Sequence, residues 1–509
     1  MLNKFLIIFV FSLLILLNNN LNANSLINEE ISKKYDNIFQ KKILSIKDVN
    51  IYKKIFTYQE NCNWKIANKF ILEIDNKILM GHVLAQRYLH PKCYRSQYIE
   101  LYSWLKKYND HPQANRIYRL AIKRMPKGYK SPEKPSKVIG LKTNIIKQDK
   151  KNKYKSTKKL SKNQKSEKRK LINAIKSRVN RGWPSGAVKL LNQRDVNILL
   201  DQVEIDQQKE LISKGYFLAD KNELAIKYGT EALEKSFLYV PYAGWTSGLA
   251  AWRLQDYSLA AKFFTNFSIS LEDDEWHQAS GSFWAARSFA KLNNYEEINF
   301  WLYKASKNPN SFYGIISSYI LGINNPIDWN YSSIEIKDKE KIISIPASKR
   351  IKALIQIGLL NNIEKEIIKI NSTLNKDVAM WSLSIAQNFN LAYTQLKIVN
   401  LLQINGIELP IKYHYPTPIW KPKEGFEIDP SLIYAFMHQE SMFNSNAKSS
   451  RGAMGLMQIM PATAKFISSN KAVKRNNANI LKNPEINIEV GQEYIQYLLN
   501  LDPIKNNLI

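Results

Sequence analysis

A chain of 509 residues is too long for one compact core, so several domains or a repeat array are expected. Its 45% hydrophobic content is enough to bury a core and excludes global disorder. The formal net charge of +30 would ordinarily suggest a nucleic-acid partner, but +10 of it lies in Lys147–Lys170, lysine is abundant throughout, and no nucleic-acid motif is present. No nucleic acid is expected; acidic peptides or an anionic lipid surface touched peripherally suit the charge better.

The N-terminus reads Met-Leu-Asn-Lys and then runs uncharged from Phe5 to Leu17, followed by small residues near Ala23 and Ser25. An apolar stretch of 13 residues is too short to span a bilayer comfortably, so residues 1–25 are expected to be a cleavable signal peptide and the mature protein to be periplasmic. In an exported chain the two cysteines, Cys62 and Cys93, suggest a disulfide, with two buried free thiols as the alternative. Closing that loop would stabilise the fold by about 3–4 kcal/mol. Six scattered histidines and no second cysteine pair give no metal-binding spacing, so no metal is expected.

Residues 26–130 are predicted to be helical. Leu101, Trp104, Leu105 and Tyr108 share one helical face, His111-Pro112 interrupts it, and Ala114–Arg124 resumes with Ile117, Leu120 and Ala121, which predicts a helical hairpin. Residues 131–170, rich in Lys, Ser, Asn and Gln without periodicity, are predicted to be a solvated linker. From 171 to 415 the amphipathic pattern repeats. Gly248, Trp252, Leu254, Tyr257, Ala260 and Phe264 recur 38 residues later as Ala286, Ala290, Leu292, Tyr295, Ile298 and Leu302. That period predicts stacked, tetratricopeptide-like helix pairs in a superhelix, so the fold class is all-α. Trp245, Trp252, Trp276, Trp284 and Trp301 are assigned to its packing core. Pro416, Pro418, Pro422 and Pro430 then punctuate a boundary, with Trp420 and Phe426 as packing anchors, before a final domain over 416–509.

That domain carries the candidate chemistry. Asp429-Pro430-Ser431 is a helix start, and the helix should run through Glu440. Glu440 follows Ile433, Phe436 and Met437 by seven, four and three residues and so shares their apolar face. A carboxylate withdrawn from water there would favour the neutral acid that glycosidic cleavage needs, although a buried structural glutamate gives the same pattern. His438 lies off that face and is expected to be exposed. Gly452 and Gly455 allow sharp turns and close approach to a ligand, and Gln458 offers both donor and acceptor. Pro461 opens a further helix.

Glu440-Ser441, Ser449…Gly452-Ala453, Gly455-Leu456-Met457-Gln458, Met460-Pro461-x-Thr463-Ala464 and Asn483-Pro484-Glu485-x-Asn487-Ile488…Gly491…Tyr494 together resemble the soluble lytic murein transglycosylases. Ser311-Phe312-Tyr313-Gly314 extends a weaker likeness into the repeat region. The resemblance implies a goose-lysozyme-like domain on an α-superhelical scaffold. It also implies cleavage of the β-1,4 bond between N-acetylmuramic acid and N-acetylglucosamine, giving a 1,6-anhydromuramic product without a cofactor. Glu440 would serve as acid and then base, and Ser449, Gln458 and Met460 would line the substrate cleft; Glu485 and Glu489 lie too far along the chain to be assigned a role. Peptidoglycan glycan strands are the implied substrate, with cell-wall synthesis or division proteins as candidate partners. The family pattern continues into an Ala-Tyr-Asn-Ala-Gly stretch whose tyrosine positions the muramic sugar. The chain ends at Ile509 before it, so the domain is expected to be incomplete and slow. The alternatives are a hydrolytic muramidase, or a non-catalytic helical-repeat protein that binds the cell wall.

Overall fold

The computed structural model describes Phe39 and residues 41–501, apart from 138–153, 272–273, 324–335, 337–338, 374 and 476–477. The expected signal peptide, the middle of the expected linker and the last eight residues lie outside the described residues. Among those described, the chain is all-α, with two isolated antiparallel bridges and no strand, and no helix is long and apolar enough to cross a membrane. It forms two units, one of residues 149–330 and the other of 1–148 with 331–509. The stretch 171–415, expected to be one continuous array, is thus divided near residue 330.

In the 149–330 unit the helices Gln202–Leu218, Asn222–Ser236, Pro241–Arg253, Tyr257–Ser270, Glu275–Lys291, Tyr295–Ser306 and Phe312–Ile320 pack in sequence order, each on its neighbours. The 38-residue period reappears in the turns. Gln255 and Asn293 both adopt left-handed backbone, and the following residues, Asp256 and Asn294, cap the next helix by accepting the N–H of Leu259 and of Glu297. Gly248 is small because a Cβ there would meet the Phe264 ring at 2.7 Å. The tryptophan assignment holds only in part. Trp301 is buried, whereas Trp276 is 57% exposed and faces a cavity of about 750 Å³ with Tyr242, Trp245 and Phe312.

The expected linker is shorter than its composition suggests. Ser161 and Gln164 form a reciprocal cap, and the helix Lys162–Asn180 begins there, inside the lysine-rich run. Leu171, Ile172, Ile175 and Val179 carry its apolar side onto a core that includes Leu191 and Ile212. Just ahead of it, the Tyr154 hydroxyl, the Ser156 hydroxyl and the Thr157 N–H all donate to Asp201. Burial alone would push the Asp201 carboxyl up, but these donors and the Glu204 N–H outweigh it and hold it at about 2.

Glu210, in the same unit, goes the other way. Burial pushes its carboxyl up to about 7, against the opposing pull of the Ala243 and Tyr242 N–H groups and Lys214. A carboxylic acid with a raised folded value stabilises the fold below its unfolded value and loses that contribution as pH rises through the folded one. Stability of this unit should therefore fall between about pH 4.5 and pH 7, by roughly 2–3 kcal/mol after allowance for partial solvent contact. Hydrogen exchange across Gln202–Leu218, compared between the parent and Glu210→Gln over that range, checks this; parallel pH profiles would refute it.

In the other unit, Tyr98–Tyr108 and Ala114–Arg124 form the expected hairpin around Leu101, Trp104, Leu105 and Ile117. Cys62 and Cys93 are joined, with Cα atoms 5.8 Å apart. Mass spectrometry of unreduced peptides is expected to recover that cross-link, and two cysteines open to alkylation without reductant would rule it out. The helix Ile46–Glu60 packs into one core with Pro346–Ile357, Leu360–Ile370, Lys376–Asn388 and Ala392–Ile404. The Gln356 amide ties these segments by accepting the N–H groups of Ile43 and Leu44.

At the centre of this packing, the Arg350 guanidinium holds Glu366 with Nε–Oε1 at 2.6 Å and a second nitrogen–Oε2 contact at 3.1 Å, and donates to Asp110 at 3.2 Å. His82 Nε2 lies 2.8 Å from the same Glu366 oxygen, and the His82 and His111 rings touch edge to face. Glu366 is fully buried. Burial alone would raise its carboxyl, but Arg350 first and His82 second bring it below the ordinary carboxylate range.

Candidate active site

The C-terminal core gathers Ile433, Met437, Phe443, Met454, Leu456, Met457, Ile459, Ile488 and Ile495, with Trp420 and Phe426 packed on its edge as anticipated. Asp429 caps the helix Pro430–Ser441 by accepting the Ser431 N–H at 2.7 Å, and Pro430 occupies its first position. The helix ends abruptly. Met442 and Phe443 both take left-handed backbone, an uncommon state for non-glycine residues, and the Met442 and Phe443 N–H groups close on His438 and Met437 carbonyls.

Only part of the expected apolar setting of Glu440 is present. Ile433 and Met437 are buried, but Phe436 is 40% exposed and Glu440 itself is exposed. Glu440 lies in the last turn on the side shared with exposed Phe436 and Gln439, whereas the core is met by Met437 and, just past the helix end, Phe443. Its carboxylate makes no hydrogen bond or ion pair among the described residues. His438, expected to be exposed, is half-buried, stacked near Tyr415 and edge-on to Phe443. Burial holds its imidazole below the ordinary histidine range.

The neighbouring residue fixes where Glu440 stands. The Ser441 hydroxyl donates to the Leu456 carbonyl at 2.7 Å and so ties the helix end to the glycine-containing segment. That segment is a folded turn bracketed by the bridges Lys448–Met454 and Met454–Ile459. The Ser449 oxygen accepts the Ala453 N–H at 2.9 Å, shaping a tight turn that Gly452 completes at φ +95°. Gly455 has φ +79°, and a Cβ there would lie 2.2 Å from the Leu481 carbonyl oxygen. Gln458, also left-handed, donates its amide to the Gly455 carbonyl at 2.9 Å. Met460 is 40% exposed and precedes Pro461–Ile467.

One residue whose role sequence reasoning missed organises this turn. Asn487, fully buried on the helix Pro484–Leu499, accepts the Met457 N–H at 2.8 Å and donates to the Met454 and Leu481 carbonyls at 3.0 and 2.9 Å. Four residues on, Gly491 admits Met457, whose sulfur would be 2.1 Å from an added Cβ. The Asn487–Gly491 spacing on one helix face was the available signal, since a polar side chain beside a gap marks a backbone passing close. Two other carboxylates of this helix are committed elsewhere: Glu489 accepts from Asn470, and Glu493 from Ser469.

The segment thus presents an exposed carboxylate without a partner among the described residues, at the end of a helix that is held against a turn with several left-handed residues. Residues 417–502 match the transglycosylase SLT domain. The segment is 41% identical over 75 residues to the soluble lytic murein transglycosylase of Escherichia coli K12, covering 14% of this chain and 12% of that one. It is 36% identical over 91 residues to membrane-bound lytic murein transglycosylase C of Edwardsiella ictaluri, covering 17% and 25%. The matched stretch thus spans a quarter or less of these relatives' length. Among solved structures, the 70 kDa soluble lytic transglycosylase of Escherichia coli aligns over 90% of this chain and 87% of its own, at 14% identity and a TM-score of 0.47.

Proposed function

We propose that this chain is an exported peptidoglycan lytic transglycosylase that acts in the periplasm on glycan strands. The observation that carries the reading is Glu440, a carboxylate without a partner at the end of its helix, tied through Ser441 to the turn that bears Gln458. Glu440 donates its proton to the glycosidic oxygen between N-acetylmuramic acid and N-acetylglucosamine as that bond breaks. The acetamido oxygen of the muramic residue closes on its own anomeric carbon. The resulting carboxylate then takes the proton of the muramic 6-hydroxyl, whose oxygen displaces the acetamido group to give the 1,6-anhydro ring. One carboxylate suffices for both steps, which fits the engagement of Glu489 and Glu493 with residues 469–470.

Ser449, Gln458 and Met460 line the cleft in this reading. Phe436, one helical turn before Glu440 and 40% exposed, offers a ring face for a sugar. A seated sugar would supply the apolar cover that the protein leaves off Glu440. No cofactor takes part. The experiment is incubation of the chain with purified sacculi and mass analysis of the released muropeptides. Anhydro ends are expected; reducing ends would mean hydrolysis, and no release would leave only a binding protein.

A further inference from the structure

Far along the chain from Glu440, the 1–148 and 331–509 unit encloses a second opening, of about 910 Å³, built without any residue of 417–502. Lys53, Arg116 and Lys365 line it, with Glu60 as the carboxylate among them. Arg116 and Lys365 have no hydrogen-bonded or ion-paired side-chain partner among the described residues. The Lys365 ammonium is held below the ordinary lysine range, first by withdrawal from bulk water and second by the like charge of Arg116. Arg116 and Lys365 repel each other across this space, the neighbouring Glu364 carboxylate offsets that only in part, and the arrangement is relieved further when an anion enters.

The floor adds to the same field. The helix Leu360–Ile370 starts here, with Leu360, Asn361 and Asn362 at the wall. It has no side-chain cap and no acidic residue in its first turn, so its N-terminal N–H groups add positive potential to that of the cations. The opening continues past Leu89, His90 and Pro91 into a shallower depression of about 470 Å³ that carries Arg119, Lys123 and Arg124. Its rim is fixed: the His90 ring accepts the Cys93 N–H at 3.0 Å, and Cys93 is bonded to Cys62. Positive charge thus recurs from the opening into the adjoining depression, together a trough that suits a ligand with carboxylates set at intervals better than a single compact oxyanion.

We propose that this trough binds an acidic peptide with two or more carboxylates, the stem that peptidoglycan glycan carries. The identity of the peptide rests on the glycan reading above, whereas the preference for spaced carboxylates rests on the trough itself. The site would hold the substrate by its peptide while Glu440 acts on its sugar.

The test uses the full chain and a fluorescent synthetic stem tripeptide with a γ-linked glutamate, alongside the same peptide with its carboxylates amidated. Binding of the acidic form, at least about tenfold tighter than the amidated form, is expected. Arg116→Ala with Lys365→Ala should weaken it by about tenfold or more, while Arg116→Lys with Lys365→Arg should stay within about threefold. Unchanged affinity in the double alanine variant would overturn the proposal, as would inorganic phosphate competing as well as the peptide. Cleavage of sacculi is measured on the same samples. Peptide binding without any cleavage would sink the glycan reading and keep the anionic-peptide site, and cleavage without peptide binding would sink the site alone.

Discussion

Glu440→Gln is expected to leave glycan binding intact and reduce release of anhydromuropeptides from sacculi by about a thousandfold or more, because an amide neither supplies the proton nor accepts it back. The substitution is close to isosteric, and the parent side chain has no partner among the described residues to lose. Folding should therefore be unchanged, with thermal unfolding within about 1 °C of the parent, as for exposed surface positions generally. Sedimentation with sacculi reads binding, and muropeptide analysis reads turnover. Turnover near the parent rate would remove Glu440 from the mechanism. A drop in both binding and unfolding temperature would instead show a structural glutamate.

The second large effect concerns the buried ion cluster. Arg350→Ala strands Glu366, fully buried, and Asp110, 5% exposed, without their shared cation. Leaving buried charges unpaired costs about 3–5 kcal/mol, which should lower the unfolding temperature of this unit by about 10 °C. The same cluster makes the unit acid-sensitive. Glu366, held below its ordinary range, contributes stability that is present above its unfolded value and lost as pH falls through the folded one. His111, kept well below the ordinary histidine range by burial first and then by His82 and Arg350, adds a loss in the same direction that begins as pH falls past about 6.5. Thermal scans of parent and Arg350→Ala between pH 8 and pH 4 test both points. A variant within about 1 °C of the parent at pH 7.5 would refute the role of the cluster.

Much of this architecture was legible from local pattern. The hairpin at 98–124 followed from apolar spacing and the break at Pro112, and the 38-residue period marked both the stacked helices and their capped turns. The start of the helix that carries Glu440 was written in Asp429-Pro430. The failures have a common cause, which is that periodicity assigns a face but not what lies against it. Glu440 was grouped with Ile433, Phe436 and Met437, yet it lies exposed with Phe436 while Ile433 and Met437 meet the core. Composition likewise hid the helix that begins at Lys162, whose apolar residues come only after two lysine-rich turns, although Ser161 and Gln164 marked its start. The cluster of His82, Asp110, Arg350 and Glu366 had no local signal at all, since its members lie up to 284 residues apart.

The three hydrogen bonds of Asn487 also impose an order in time. A chain made from its N-terminus presents Met454 and Met457 some thirty residues before the side chain that pairs with them. Until the helix Pro484–Leu499 forms and arrives, the Met457 N–H and the Met454 carbonyl lack their native amide partner. The turn beside Glu440 can therefore take its final shape only after the glutamate and both glycines are already outside the ribosome. The turn is completed by a helix that follows it in the chain, so a nascent chain would carry Glu440 before the backbone beside it is set.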